Sequence, residues 1–263
     1  MLYGGYMKIL KQIRNEAAKR LGFTLAEVLI TLGIIGVVAA LTIPTLVAKH
    51  KEKVTVVKVK KAYSTLYNAF QFALANEGTV DNWGITGVYT DDDGNTQISQ
   101  EGSEKMANIF IKYLNKSSFC GGNADCIGGY EQILLNGDEY TVKAQGASTV
   151  VLADGTGVAF TPWMYYGTCN SGCGSLTIYL EPNKKAHYGV NTFAFTLYKD
   201  KIIPWGSANI VKLESQNTFE KKCVYKGGNF ENGLACTGWI LEIGNMDYLH
   251  CDGLSFEGKH KCN

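Results

Sequence analysis

A single carboxylate stands inside the longest apolar run of this chain. Of the 25 residues from Phe23 to Val47, 24 are uncharged, and the exception is Glu27. As a helix this run would be about 37 Å long at ~1.5 Å per residue, enough to cross a hydrocarbon core of about 30 Å. A carboxylate in a bilayer costs roughly 2.5–3.5 kcal/mol near the centre and less near the surface. Glu27 is therefore a candidate functional residue.

The residues around Glu27 follow a specific order. A basic leader ends in Gly22, and Glu27 is the fifth residue after it. This pattern, over roughly residues 19–50, resembles the type IV prepilin signature shared by type IV pilins and the pseudopilins of type II secretion. The resemblance implies that a prepilin peptidase cleaves between Gly22 and Phe23 and N-methylates Phe23, and that Glu27 helps the subunit dock into a filament. Pro44 matches a proline that kinks the N-terminal helix of many type IV pilins.

The charge of the leader predicts the membrane orientation. Residues 1–22 carry five basic side chains and one acidic side chain, which favours a cytoplasmic N-terminus and an outward head. Lysines between residues 49 and 61 weaken that rule, so the prepilin signature decides the orientation. Met1 and Met7 are both candidate start sites. Two other interpretations are an ordinary membrane anchor and a secretory signal peptide cut after Ala40.

Cysteines occur only in the outward part of the chain. An even number on that side of a membrane predicts a disulfide framework, and neighbours in the sequence suggest four local loops. A zinc site is the alternative, because His250 and His260 lie close to two of the cysteines. The expected pairs are Cys120–Cys126, Cys169–Cys173, Cys223–Cys236 and Cys251–Cys262.

One oxygen-rich loop has part of the pattern of a calcium site. Asp91, Asp93 and Asn95 fit the first three ligand positions of a calcium loop, because hard cations prefer oxygen ligands. The required glycine falls on Thr96, and the twelfth position is Gly102 instead of glutamate. Two predictions therefore stand for this loop, a calcium site and a solvated turn.

The sequence lacks the common enzyme motifs. It contains no nucleotide-binding glycine loop, no Gly-x-Ser-x-Gly elbow and no His-Glu-x-x-His, so we expect no catalytic site and no other cofactor. Residues 78–263 carry 14 basic and 20 acidic side chains, a net charge of −6. That charge disfavours non-specific nucleic-acid binding and leaves DNA uptake through a local patch open.

The helical period continues beyond the apolar run. We predict one helix from Phe23 to about Ala75, with a membrane half (23–47) and an amphipathic half (48–77) that packs on the head. Pro44 favours a kink because it removes one backbone hydrogen bond. The expected apolar stripe consists of Val56, Val59, Tyr63, Leu66, Tyr67, Phe70 and Leu74.

Residues 78–263 read as a globular head rich in β-strands. We predict a short helix over Glu101–Asn115 and an antiparallel sheet with hairpin turns at Asn136-Gly137 and Asp154-Gly155, while Gly233–Ile243 fits a helix or a strand. The fold class is therefore α+β. The expected strands are Gln132–Leu135, Glu139–Lys143, Thr149–Leu152, Val158–Thr161, Leu176–Leu180, Phe193–Tyr198 and Lys201–Ile203.

The resemblance implies a structural, non-enzymatic subunit of a type IV pilus or a type II secretion pseudopilus. Its partners would be prepilin peptidase, like and related pilin subunits, and an inner-membrane assembly platform. It would start as a single-pass inner-membrane protein with an extracytoplasmic head and then enter a filament. Two alternatives are a minor tip subunit that binds a surface, ligand or DNA, and an anchored extracytoplasmic enzyme or receptor domain.

Overall fold

The computed structural model describes residues 23–129, 131–141, 146–164, 169, 172–208, 218–228 and 231–262. The chain divides into two compact units, one that ends at His50 and one that begins at Lys51. A 53-residue helix, α1 (Leu25–Glu77), contributes to both units. The sequence predicted this helix within two residues at each end.

The second unit contains three further helices and eleven strands among the described residues. Short 3₁₀ helices also occur at Val80–Asn82, Ala124–Ile127 and Asp247–Leu249. The order after α1 is β1 Val88–Thr90, β2 Thr96–Ile98, α2 Gln100–Ile111, β3 Lys116–Gly121, β4 Glu131–Ile133, β5 Glu139–Thr141, β6 Ser148–Leu152, β7 Gly157–Pro162, β8 Gly174–Tyr179, β9 Ala186–His187, β10 Thr192–Leu197, β11 Ile202–Pro204, α3 Phe219–Lys222 and α4 Cys236–Glu242.

An antiparallel six-stranded sheet forms the centre of this unit, in the order β11-β10-β8-β7-β6-β3. Alternate residues of a strand point to opposite faces of a sheet, so each face has its own set of side chains. One face contributes Phe160, Ile178 and Phe195 to the main core, which also contains residues of α1 and α2. The other face carries smaller and more polar side chains.

Two smaller sheets complete the head. Strands β1 and β2 form a hairpin. Strands β5, β4 and β9 form a three-stranded sheet in which β4 pairs antiparallel with β5 and parallel with β9. The predicted turns at Asn136-Gly137 and Asp154-Gly155 connect consecutive strands, and both glycines have positive φ (90° and 85°), as tight hairpins require.

The part of α1 that begins at Lys51 presents its predicted stripe to the sheet, with one correction. Leu66 and Phe70 are fully buried, and the half-buried Tyr63 stacks on Phe195 with ring centroids 5.6 Å apart. Tyr67, expected in the stripe, is instead 40% exposed. The buried line includes three alanines instead, because small side chains allow the helix to approach the sheet closely; these are Ala62, Ala69 and Ala73.

The end of helix α2 and four short strands differ from the prediction. Helix α2 ends at Ile111 instead of Asn115, and Gly233–Ile243 contains the helix α4. The sequence did not reveal β1, β2, β3 or β9. These strands are short or irregular, and β3 pairs with β6 through two register shifts, so they lack the regular apolar alternation that identifies a strand. Residues 142 and 143 of one predicted strand lie outside the described residues.

Candidate functional site

The first turn of α1 contains a reciprocal pair of caps. Thr24 is the N-cap residue, since its carbonyl accepts the first helical hydrogen bond, from the Val28 amide at 3.2 Å. The Glu27 carboxylate accepts hydrogen bonds from the Thr24 amide (2.8 Å) and the Thr24 hydroxyl (2.9 Å). The Glu27 amide in turn donates to the Thr24 hydroxyl oxygen at 3.2 Å. This is a capping box, and it holds the Glu27 side chain at the helix start.

Residues 23–47 expose an apolar surface. Its large apolar side chains are between 39% and 87% exposed, and Phe23 has the highest value. By length and composition, the helix suffices to cross a membrane. Added Cβ atoms on Gly33 and Gly36 would meet nothing within 4 Å. No other described residue covers this surface to a large extent, so it can contact lipid or another protein.

Polar groups inside this apolar segment find partners within the helix. The hydroxyls of Thr31, Thr42 and Thr45 donate to the carbonyls of Val28, Val38 and Thr42 at 2.8–3.0 Å. Such bonds satisfy hydroxyl groups in a medium without water.

The helix also continues through Pro44. Proline has no amide hydrogen to donate to the carbonyl four residues before it, and this favours a local bend. The bend at Pro44 stays a prediction.

The cleavage site is only partly described. Phe23 and Glu27 lie at the start of the described chain, four residues apart, whereas Gly22 lies outside the described residues. Cleavage, N-methylation and docking therefore stay predictions. Thr24 is the residue that sequence reasoning missed, although Thr24-x-x-Glu27 is the sequence pattern of a capping box and precedes an apolar run.

All eight cysteines form disulfides, in the four pairs that sequence neighbours suggested. The zinc alternative is therefore wrong, because Cys251 and Cys262 bond to each other and offer no thiolate. The longest closed loop joins Cys223, just after α3, to Cys236 at the start of α4, 13 residues apart, and both side chains are buried.

The candidate calcium loop is the turn of the β1–β2 hairpin. The Asp91 carboxylate accepts hydrogen bonds from the amides of Asp93 (3.1 Å) and Asn95 (2.7 Å) and from the Gln97 side chain (2.8 Å). The bond from Gln97, followed by that from the Asn95 amide, lowers the pKa of Asp91. Among the residues that the structure describes, no group of three His, Cys, Asp or Glu side chains is arranged to hold a metal ion. Calcium binding stays a prediction.

Two known family models match different parts of the chain. A family sequence model described as the prokaryotic N-terminal methylation motif matches residues 18–43. A second, described as a family of unknown function (DUF6613), matches residues 45–209, more than half of the chain. No curated protein and no solved structure matches the chain. The first match includes the predicted cleavage site and Glu27.

Proposed function

The chain belongs to the family of unknown function DUF6613 and is a type IV pilin-like protein, and on that premise we propose that it is a structural subunit of a filament. The filament is a type IV pilus or a type II secretion pseudopilus. The observation that carries the proposal is the methylation-motif match over residues 18–43, which coincides with the capped start of an exposed apolar helix. The role is structural, not enzymatic.

Processing comes first in this proposal. Prepilin peptidase cleaves the bond between Gly22 and Phe23 and methylates the new N-terminus. Cleavage creates an ammonium group on Phe23, one residue before the helix cap at Thr24. The new cation is then the only positive charge within residues 23–47.

Assembly then covers the apolar surface. Apolar surface removed from water contributes about 25 cal/mol per Å², so side chains such as Leu25, Ile35 and Leu46 disfavour an aqueous environment. In the membrane precursor, lipid covers them; in the filament, the same helices of like and related subunits do so. An inner-membrane assembly platform transfers subunits between the two states.

Glu27 guides this transfer through its charge. The carboxylate keeps its place at the helix start through Thr24, where the positive end of the helix dipole favours it. In a medium without water it needs a cation, and the Phe23 ammonium of a neighbouring subunit supplies one. When a subunit is placed so that this pair forms, Glu27 is no longer an unpaired buried charge. Correct placement is therefore favoured.

The head folds outside the cytoplasm. Four disulfides are stable in an oxidising compartment and rare in the cytosol, which supports an extracytoplasmic position for residues 78–263. The precursor is thus a single-pass protein of the inner membrane, with its basic leader in the cytoplasm.

A helix exchange tests the proposal. The full chain is produced together with prepilin peptidase and its assembly system, and residues 23–47 are replaced by an unrelated apolar membrane helix of equal length. The wild-type chain should occur in sheared filaments, whereas the exchanged chain should stay in the membrane with its disulfides intact. Filaments that contain both chains equally would contradict assembly through this helix and would favour a head that acts independently of its anchor.

A further inference from the structure

A cavity of about 260 Å³ lies on the face of the six-stranded sheet that points away from the main core. Val158, Phe160 and Ile178 enter the core, whereas the alternate residues Ala159 and Thr177 line the cavity. The floor of the cavity is formed by β7, β8 and β10, and Gln132 of β4 closes one side. The cavity therefore lies between the two larger sheets of the head.

The lining combines hydroxyl groups with aromatic rings. Thr161, Ser175 and Thr177 belong to the floor. The rings of Trp163 and Trp205 meet edge to face, with centroids 6.2 Å apart and an interplanar angle of 64°. Two tyrosines, Tyr179 and Tyr188, also line the cavity. Aromatic walls over a hydroxyl-bearing floor suit a ligand that has both apolar faces and polar edges.

Two polar atoms at this cavity have unmet hydrogen bonds among the described residues. Gln132 is 3% exposed, and its Nε2 donates to the Tyr179 hydroxyl at 3.1 Å, but its Oε1 accepts no hydrogen bond. The indole Nε1 of Trp205 donates to no acceptor. Buried polar groups nearly always have a partner, so each such group calls for an explanation. One atom requires a donor and the other an acceptor, and a hydroxyl group serves as both.

The lining also restricts the charge of a ligand. Among the described residues that line the cavity, Glu231 is the charged one, and its carboxylate pairs with Lys222. A charged ligand would thus enter without a free counter-charge, at a large desolvation cost. The volume lies just below the range of about 300–1,000 Å³ that is typical of sites for drug-sized molecules.

We propose that this cavity binds a neutral, hydroxyl-rich ligand of the size of one sugar unit. The apolar face of the sugar ring packs on the indole of Trp163, which leaves the Trp205 N–H to point at a sugar oxygen. A sugar hydroxyl donates to Gln132 Oε1, and a second sugar oxygen accepts from Trp205 Nε1. All residues that line this site belong to the head, outside residues 23–47, on which the proposed assembly rests.

Tryptophan fluorescence offers a direct test. The full chain is purified in a phosphocholine detergent, since detergents with sugar headgroups would compete, and is titrated with glucose, galactose, mannose and N-acetylglucosamine. Trp163 and Trp205 line the cavity, whereas Trp83 and Trp239 are buried elsewhere. At least one sugar should give a saturable fluorescence change and saturation transfer in NMR. If none does at concentrations well above 1 mM, the proposal is wrong.

Two variants locate the site. Gln132→Met keeps the length of the side chain and removes the unpaired Oε1, and Trp205→Phe keeps a ring and removes Nε1. Each should weaken sugar binding about two- to tenfold, which corresponds to one net hydrogen bond. The melting temperature of Gln132→Met should change little, because two effects oppose each other. The variant loses the hydrogen bond to the Tyr179 hydroxyl, and it also removes the buried Oε1 that has no donor.

Trp83→Phe is the matched control. Trp83 Nε1 donates to the Gly78 carbonyl at 2.9 Å, and Trp83 does not line the cavity. This variant should lower the melting temperature and leave the sugar affinity unchanged. Unchanged affinity in Gln132→Met and Trp205→Phe would overturn the assignment of the site, whatever the result of the helix exchange.

Discussion

Thr24 and Glu27 satisfy each other's hydrogen-bonding groups at the start of α1, through bonds of 2.8, 2.9 and 3.2 Å. The Glu27 carboxylate therefore has a local role in capping the helix in addition to any role between subunits. A capping residue contributes about 1 kcal/mol, whereas loss of one partner from a buried ion pair costs roughly 3–5 kcal/mol. Substitutions at the two positions separate these roles.

Glu27→Gln should fail in assembly although its helix stays capped. Glutamine also forms the capping box, so the substitution removes the charge and keeps the cap. Thr24→Ala, the matched control, removes the hydroxyl cap and keeps the charge. With membrane levels matched, Glu27→Gln should be depleted at least tenfold from the sheared filament fraction, and Thr24→Ala should remain near the wild-type level. The reverse order would show that Glu27 acts as a cap alone.

The mature chain should begin at Phe23. If prepilin peptidase recognises the motif, the membrane-extracted protein lacks every residue before Phe23 and carries a methyl group on its N-terminus. Intact-mass and N-terminal peptide mass spectrometry measure both. A replacement of Gly22 by leucine should leave the leader attached. A start at Leu41, or an uncleaved wild-type chain, would contradict the processing step.

Local sequence predicted α1 and the central strands because their patterns are local. In α1 an unbroken apolar run is followed directly by a stripe with a helical period, and the disulfides join near neighbours in the chain. The cavity depends on contacts of another kind. Gln132 meets Tyr179 across 47 residues of sequence, and β4 pairs with β9 in parallel. No local period indicates such long-range contacts.

The Cys223–Cys236 bond should contribute more to stability than Cys120–Cys126. It closes the longer loop, 13 residues against 6, so the chain-entropy estimates are about 3 and 2 kcal/mol. Its side chains are also buried, so replacement leaves a cavity. Paired alanine substitutions, followed by thermal unfolding of the full chain in detergent, should show the larger loss for the 223/236 variant. Peptide mapping without reductant should reveal no free thiol; an equal loss in both variants would contradict this ranking.

His187 should make the head less stable in mild acid. Burial lowers its pKa below the usual 6.5 and outweighs the opposing effect of the Leu134 carbonyl, 3.0 Å from Nε2. The unfolded chain therefore binds a proton near pH 6.5, and the folded chain binds it only at lower pH. Stability from this residue is complete above pH 6.5 and declines as the pH falls below that value. His187→Gln should flatten the decline in melting temperature below pH 6.5. An equal decline of melting temperature with falling pH in wild type and His187→Gln would show that His187 does not cause the acid sensitivity.

Gly102 should not tolerate alanine, although it lies in a helix. Alanine is ordinarily favoured over glycine by about 1 kcal/mol at a helical position. At Gly102, however, an added Cβ would lie 1.9 Å from the Thr86 carbonyl oxygen and 2.9 Å from its carbon, and both are backbone atoms that cannot rotate away.

The clash should outweigh the helix propensity. Overpacking of this kind costs typically 1–3 kcal/mol, so Gly102→Ala should lower the melting temperature of the head, measured by near-ultraviolet circular dichroism of the full chain. Glu101→Ala, at the exposed neighbouring position of α2, is the control and should change the melting temperature little. A Gly102→Ala protein more stable than wild type would mean that α2 does not approach Thr86 this closely.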